Sequence, residues 1–94
     1  MNRDKLFRAL VTNLRRHGAK SIAVFGSYAR HQEKKSSDID LIVKFKKQKS
    51  LMELVGIELE LGERVGKKIE LLTEKSISPY IIGQVKKEMV VLYK

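Results

Sequence analysis

The 94-residue sequence contains no cysteine and no tryptophan, and it has a single proline. The absence of cysteine excludes a disulfide framework and any thiolate metal site. No apolar run approaches the roughly 20 residues that a membrane-spanning helix requires. The first residues also lack the apolar segment of a signal peptide. We therefore expect one domain, residues 1–94, with a small core, a cytoplasmic location and no membrane association.

Acidic residues are also few: the chain has 11 aspartates and glutamates against 20 lysines and arginines, which gives a net charge of +9. Such a charge favours polyanionic ligands such as nucleotides or RNA, or an acidic protein partner, although it also serves solubility alone. RNA contact is possible but not favoured, because base stacking requires aromatic residues in a basic setting. The tyrosines are instead scattered along the chain: Tyr28, Tyr80 and Tyr93.

Two of the few acidic residues, Asp38 and Asp40, lie at alternate positions at the start of an apolar segment. Large apolar residues alternate with them, as in a strand with one buried face: Ile39, Leu41, Val43 and Phe45. Both carboxylates would then project from the opposite face, about 6.6 Å apart along the backbone. Mg²⁺ takes oxygen ligands and commonly lies between carboxylates and substrate phosphates. The pair therefore predicts a magnesium site.

A phosphate-binding turn is predicted just before this strand, at Gly26 and Ser27. Glycine lets a backbone approach a ligand closely. Ser27 is a suitable N-cap for a short helix over residues 28–30, and a helix N-terminus offers free N–H groups to phosphate. Arg30 adds a forked donor that matches phosphate oxygens. Together with the aspartates, this turn predicts a site for a nucleoside triphosphate held by magnesium.

The rest of the chain indicates an α/β fold. Apolar residues at helical spacing predict a first helix over residues 3–17, with Gly18 in the position of a C-terminal cap. Three strands are expected, over residues 21–25, 38–45 and 67–73. The final segment, Met89 to Tyr93, indicates an edge strand or a packed tail.

Two further segments are expected to be helical. Residues 51–65 fit both a helical stripe and a strand-like alternation, and three glycines in or beside them weaken a helix. A helix is favoured because Ser50 is a suitable cap and the segment is long. A last helix is expected to begin with Ser78 as its cap and Pro79 at its first position.

Gly26-Ser27, ten further residues and then Asp38-Ile39-Asp40 resemble the signature of the DNA polymerase beta-type nucleotidyltransferases. The resemblance runs over nearly the whole chain. The short length is similar to that of the minimal nucleotidyltransferases (MNT), the partners of HEPN proteins in toxin–antitoxin pairs. This resemblance implies the polymerase beta-like fold, a small mixed sheet with helices packed on one face and the acidic site on the other.

The resemblance also implies a third carboxylate on the neighbouring strand, and Glu70 occupies that position. It implies that Asp38, Asp40 and Glu70 bind metal, that Glu70 also helps to activate the attacking hydroxyl, and that the Gly26-Ser27 turn holds the triphosphate. Two residues depart from the family pattern. Glu70 replaces the usual aspartate, which puts full activity in doubt, and His31 stands where the family often has glycine.

The implied reaction is the transfer of AMP from ATP to a hydroxyl, preferentially a tyrosine, of a HEPN partner, with release of pyrophosphate. Larger enzymes of this type carry a helical domain that grips base and acceptor. We therefore expect a homo- or hetero-oligomer that supplies these contacts. The alternative is an antitoxin with little or no catalysis that neutralises its partner by binding alone. The intact aspartates argue against that alternative, and Glu70 argues mildly for it.

Overall fold

In the computed structural model, which describes residues 2–94, three helices and four strands follow one another along the chain. The helices are α1 (Arg3–Arg16), α2 (Leu51–Val65) and α3 (Ile82–Glu88), and a 3₁₀ turn covers Glu74–Ser76. The strands are β1 (Ala19–Phe25), β2 (Ile39–Phe45), β3 (Ile69–Leu72) and β4 (Val90–Tyr93). None of the helices in these residues is long and apolar enough to cross a membrane.

The four strands form one mixed sheet in the order β3-β2-β1-β4. Strand β1 is antiparallel to both β2 and β4, whereas β2 and β3 are parallel. A parallel pair needs a crossover connection, and α2 supplies it. The mixed sheet confirms the predicted α/β fold class, and the final segment is the predicted edge strand.

Helices α1 and α2 pack on one face of the sheet and form the core with it. Leu10 and Leu14 of α1, Leu41 and Val43 of β2, and Leu61 of α2 are completely buried. Because side chains alternate along a strand, this packing leaves Asp40 of β2 and its strand partner Glu70 of β3 on the opposite face of the sheet. The predicted division into a helix-covered face and an acidic face is confirmed.

The favoured helix over residues 51–65 is confirmed, and both of its ends are capped. Ser50 Oγ accepts a hydrogen bond from the Glu53 N–H at 3.2 Å, and the Ser50 N–H donates to Glu53 Oε1 at 3.1 Å. This reciprocal capping box satisfies two backbone donors that would otherwise lack partners. Gly66 then ends the helix with a φ of 70°, a left-handed conformation that glycine adopts without strain.

The prediction for the last helix was wrong about its start. Ser78 and Pro79 form a turn: the N–H groups of Ile81 and Ile82 both donate to the Ser78 carbonyl, at 3.1 Å. Ser78 Oγ accepts from the Tyr80 N–H at 3.3 Å, so the serine caps this turn and not a helix. Helix α3 begins only at Ile82, and none of its residues is buried.

His31 has a φ of 56°, the conformation that favours glycine, at the position where the resemblance indicated a glycine. This conformation costs a residue with a Cβ roughly 1–2 kcal/mol, and glycine itself loses about 0.5–1 kcal/mol through its larger unfolded-state entropy. We expect His31→Gly to raise the free energy of unfolding by up to about 1 kcal/mol in urea titrations. Gln32→Gly, one residue later, is the control and should lower it. Equal destabilisation by both variants would contradict the strain at His31.

Candidate active site

The acidic face carries three aligned residues on neighbouring strands. In the strand register Phe25 of β1 lies opposite Asp40 of β2, and Asp40 lies opposite Glu70 of β3. The side chains of Asp40 and Glu70 therefore project from the same face of two adjacent parallel strands. Asp40 and Glu70 are therefore neighbours, as predicted, because the parallel β2–β3 pair places them side by side.

The environment of Asp40 disfavours its charged form. Burial, then interaction with the Glu70 side chain, and then the charge of Asp38, raise the pKa of the Asp40 carboxyl from 3.8 to about 7. The positive charge of Arg30 opposes this shift. Two carboxyl groups held together in this way share either a proton or a cation.

Asp38 lies at the edge of this cluster. It is half-buried, just before β2, and its charge contributes to the raised pKa of Asp40. Within residues 2–94, however, no three acidic or histidine side chains are drawn together closely enough to form a ready-made metal group. The structure thus brings Asp40 and Glu70 together directly, with Asp38 close enough to interact electrostatically.

Gly26 is in tight contact with the acidic pair. Its φ is 71°, and a Cβ at this position would overlap Oδ2 of Asp40 and lie 3.2 Å from its Cγ. Both the backbone conformation and the missing side chain are therefore required here. This packing fixes the turn directly above the Asp40 carboxyl.

The predicted short helix after Ser27 is wrong: residues 26–31 form turns. The N–H groups of Ala29 and Arg30 donate to the Gly26 carbonyl at 3.1 and 3.2 Å. The left-handed residues at both ends, Gly26 and His31, stop the segment from continuing as a helix. These two hydrogen bonds do not use the N–H groups of Ser27 and Tyr28, so the turn keeps the donors that a helix N-terminus would have offered.

Arg30 lies beside the acidic pair, but its guanidinium also has other partners. Its Nη1 is 3.5 Å from Oε2 of Glu88 in α3, and its Nε donates to Gln32 Oε1 at 3.2 Å. Sequence reasoning missed Glu88, because 58 positions separate the two residues and no local pattern links them.

A second unforeseen residue, Arg3, attaches the turn to α1. Its guanidinium donates to the Tyr28 carbonyl, pairs with Glu33 at 3.1 Å and lies 4.7 Å from the centre of the Phe7 ring. Phe7 also meets Tyr28 edge to face, with ring centres 6.4 Å apart. Helical spacing of apolar residues predicted α1, but nothing in the sequence linked Arg3 to the turn.

The raised pKa of Asp40 gives a stability prediction for the metal-free protein. A group whose folded pKa lies above its unfolded value stabilises the fold fully below the unfolded pKa, here 3.8. This contribution is lost as the pH rises through about 7. In chelator, we expect the melting temperature of wild type to fall between pH 5 and pH 8 relative to that of Asp40→Asn.

The melting temperature of wild type should fall by on the order of 5 °C relative to that of the variant. A loss of 1 kcal/mol in unfolding free energy lowers the melting temperature of a domain of this size by about 4–8 °C, and solvent screens part of the interaction at Asp40. Thermal scans of both proteins across this pH range measure it. Asp40→Asn is the reference for wild type, because its amide cannot titrate and its melting curve therefore reports every pH effect except that of Asp40. If the melting temperatures of the two proteins change with pH in parallel, the pKa of Asp40 is not raised in the folded protein.

Taken together, this mixed sheet, with carboxyl groups on adjacent strands beneath a Gly-Ser turn, defines a nucleotidyltransferase-type domain. Residues 10–94 match the family described as "Polymerase beta, Nucleotidyltransferase". The chain belongs to this family.

Two relatives illustrate where the chain lies within it. "Putative protein adenylyltransferase MJ0435" of Methanocaldococcus jannaschii is 41% identical over 90 residues, which cover 96% of this chain and 97% of the relative. "Protein adenylyltransferase MntA" of Thermococcus cleftensis is 35% identical over 75 residues, covering 80% and 76% of the two chains.

Solved structures share the fold. The "Structure of putative minimal nucleotidyltransferase" superposes with a TM-score of 0.80 at 30% identity, and covers 96% of this chain and 95% of that one. The "Crystal structure of the toxin-antitoxin with AMP-PNP" superposes with a TM-score of 0.84 at 21% identity, and covers 93% and 72% of the two chains. The second likeness, at this low identity, bears on the fold alone.

Proposed function

We propose that this chain is a magnesium-dependent protein adenylyltransferase that transfers AMP from ATP to a hydroxyl of a helical HEPN-type partner and thereby acts as an antitoxin. The observation that carries the proposal is the Asp40–Glu70 carboxyl pair packed directly beneath the Gly26 turn. The names of the relatives give the same reaction class, since both are described as protein adenylyltransferases.

The acidic pair fits a hard divalent cation. Without a proton, the carboxyl groups of Asp40 and Glu70 repel each other, and a cation between them would relieve this repulsion. All available donors are carboxylate oxygens, which suit Mg²⁺ better than softer metals. Asp38, Asp40 and Glu70 would hold the ion. When bound, Mg²⁺ supplies positive charge that offsets the charge that develops on the phosphates.

The other groups bind and orient the nucleotide. The N–H groups of Ser27 and Tyr28, which the hydrogen bonds of the turn do not use, would donate to phosphate oxygens, and Arg30 adds a planar cation beside Asp40. As the acceptor oxygen bonds to the α-phosphorus, the bond to pyrophosphate breaks, and Glu70 takes the hydroxyl proton. Preorganised donors of this kind stabilise charge in the transition state.

The acceptor is proposed to be a tyrosine of the partner. One solved neighbour, 20% identical with a TM-score of 0.78, is described as a tri-AMPylated Shewanella oneidensis HEPN toxin in complex with MNT antitoxin. That description concerns the neighbour and names a HEPN toxin as the modified protein, whereas tyrosine as the acceptor residue follows from the family resemblance. The positive charge of +9 also suits an acidic partner surface.

Intact-mass analysis of a HEPN-type partner, sought first among the products of the neighbouring genes, tests the proposal. Incubation with ATP, Mg²⁺ and this chain should add the mass of one AMP or a multiple of it, and chelator should prevent the addition. Peptide mapping should then locate the adduct on tyrosine. If no nucleoside triphosphate produces an adduct while the partner is still silenced, the antitoxin acts by contact alone.

A further inference from the structure

The arginines of the chain divide into two groups. Arg3, Arg30 and Arg64 each pair with a glutamate. The remaining three have no carboxylate partner within residues 2–94, and all of them lie on α1: Arg8, Arg15 and Arg16. Positive charge in the last turn suits the dipole of α1, which accounts for two of them. Arg8 is in the middle of the helix, so the dipole does not explain the group.

The three unpaired arginines lie on one side of α1. At 100° per residue they fall within about 100° of the helix circumference, and Thr12 lies between them. Two adjoining cavities of about 340 and 320 Å³ share Thr12, and both are lined by this side of α1 and by the end of β4. We call this surface the α1–β4 groove, and its polar and aromatic residues are Arg8, Thr12, Arg15, Arg16, Lys46 and Tyr93.

The loop after β2 brings a further cation, Lys46, to the groove. The N–H of Lys46 donates to the carbonyl of Gly18, just after α1, at 2.9 Å. Its side chain is exposed and lines the same cavity as Arg15 and Arg16. Among the ion pairs formed within residues 2–94, none involves Lys46. Three cations around one cavity repel one another, and a bound polyanion would relieve that repulsion.

The fold places an aromatic ring in this basic setting. Tyr93 is the last residue of β4, is half-buried and lines the same cavity. The Cζ atom of Arg15 lies 4.7 Å from the centre of its ring. Unpaired bases stack on aromatic rings and on guanidinium groups. The scattered positions of the tyrosines argued against RNA contact, but the fold unites Tyr93 with arginines from the other end of the chain.

We propose that the α1–β4 groove binds single-stranded RNA, with its phosphates on the arginines and Lys46 and a base stacked on Tyr93 and Arg15. The groove extends about 12 Å along α1, which at about 3.4 Å per nucleotide covers three or four nucleotides. The Thr12 hydroxyl lies between the arginines and is a partner for the 2′-hydroxyl, which DNA lacks. A duplex would hide its base faces from Tyr93.

This RNA site is separate from the acidic site, and the proposal does not rest on AMP transfer. Ala19, at the start of β1, lies opposite Phe45, the last residue of β2 before Lys46. Phe25, at the other end of β1, lies opposite Asp40. Six rises of about 3.3 Å therefore separate the cavity beside Lys46 from the acidic pair by about 20 Å. Both sites can be occupied at the same time.

Fluorescence anisotropy with a labelled oligouridylate of about ten nucleotides, at about 50 mM salt, tests the proposal. Chelator is present and ATP is absent, so the acidic site does not contribute. Wild type should bind with a dissociation constant in the micromolar range. Arg15→Ala/Arg16→Ala should weaken binding at least about tenfold and lower the slope of log K against log salt by about 1.4, or about 0.7 for each phosphate contact.

Lys34→Ala/Lys35→Ala is the matched control. It removes the same charge from an exposed loop outside the groove, and it should bind within about twofold of wild type because exposed charges beyond a Debye length are screened. The positions changed in both double variants are exposed, so circular dichroism should show folded proteins.

Changes at Tyr93 and Thr12 test the two contacts that charge alone does not require. Tyr93→Leu keeps apolar packing but removes the ring, and it should weaken binding about tenfold. Tyr93→Phe keeps the ring and should bind like wild type. Wild type should also prefer oligouridylate to oligothymidylate of the same length, and Thr12→Val should abolish this preference.

Several results would overturn the proposal. These are no binding by wild type at about 100 µM protein, above the usual range for non-specific sites, an equal loss in the lysine control, and equal binding of a duplex or of poly-glutamate. Equal affinity of wild type for the two oligonucleotides overturns the choice of RNA. If wild type binds no RNA and Arg15→Ala/Arg16→Ala instead loses binding to the HEPN-type partner, the groove serves that partner and the RNA site is overturned.

Discussion

Asp40→Asn should lower the rate of AMP transfer at least about 100-fold while leaving the fold intact. The amide keeps the shape of the side chain but removes a carboxylate oxygen from the pair with Glu70, and with it the negative charge that would bind the cation. Loss of such an interaction costs several kcal/mol of transition-state stabilisation, and each 1.36 kcal/mol is about tenfold in rate. The acidic face is outside the helix-covered core, so stability should not fall.

Rates of adduct formation on the partner, followed by intact mass at saturating ATP, measure this effect. Asp4→Asn is the control, because Asp4 is an exposed carboxylate in the first turn of α1. It should transfer AMP at the wild-type rate. An Asp40→Asn variant within about threefold of wild type, a change of under 1 kcal/mol, would remove Asp40 from the reaction and with it the proposed site.

Gly26→Ala should have the second largest effect, because it affects both the backbone and the acidic pair. The alanine Cβ would overlap Oδ2 of Asp40, so either the carboxyl or the whole turn must move. Displacement of catalytic groups by about 1 Å is sufficient to lower a rate about 100-fold. The positive φ adds about 1 kcal/mol or more of backbone strain.

Gly66→Ala provides a matched control, because Gly66 has nearly the same φ, 70°, but has no atom within 4 Å of a Cβ. Both variants should lose about 1–2 kcal/mol in urea unfolding from the conformational cost alone. Only Gly26→Ala should also lose AMP transfer and ATP binding, measured by intact mass and calorimetry. Comparable activity losses in the two variants would mean that the contact with Asp40 has no functional role.

Much of this site could be predicted because its residues carry local signals. Alternation along β2 separates the apolar positions from Asp40, and a glycine after an apolar run marks the turn. The pairing of Asp40 with Glu70 needed the family resemblance as well, since 30 positions separate them. Local spacing could not reveal the contacts of Arg3 and Glu88 with the turn, because they depend on how α1 and α3 are placed.

The errors also have physical reasons. A serine followed by proline favours both a helix start and a turn, and the carbonyl of Ser78 accepts two N–H groups in a turn. Likewise, Ser27 is a good helix cap in isolation, but the left-handed residues on either side of it limit the segment to a turn. Local propensity does not distinguish these outcomes.

The parallel pairing of β2 with β3 has a consequence for the order of folding. Strands β1 and β2 are consecutive in the chain and pair antiparallel. Strand β3 can pair with β2 only after the chain between them, which includes α2, has folded back across the sheet. Loop closure of this kind slows non-local pairing. The acidic pair therefore assembles late, after the hairpin-like part of the sheet, and partly folded chains that lack β3 lack the complete site. Nucleotide binding should accordingly appear in refolding experiments only after the β1–β2 pair has formed.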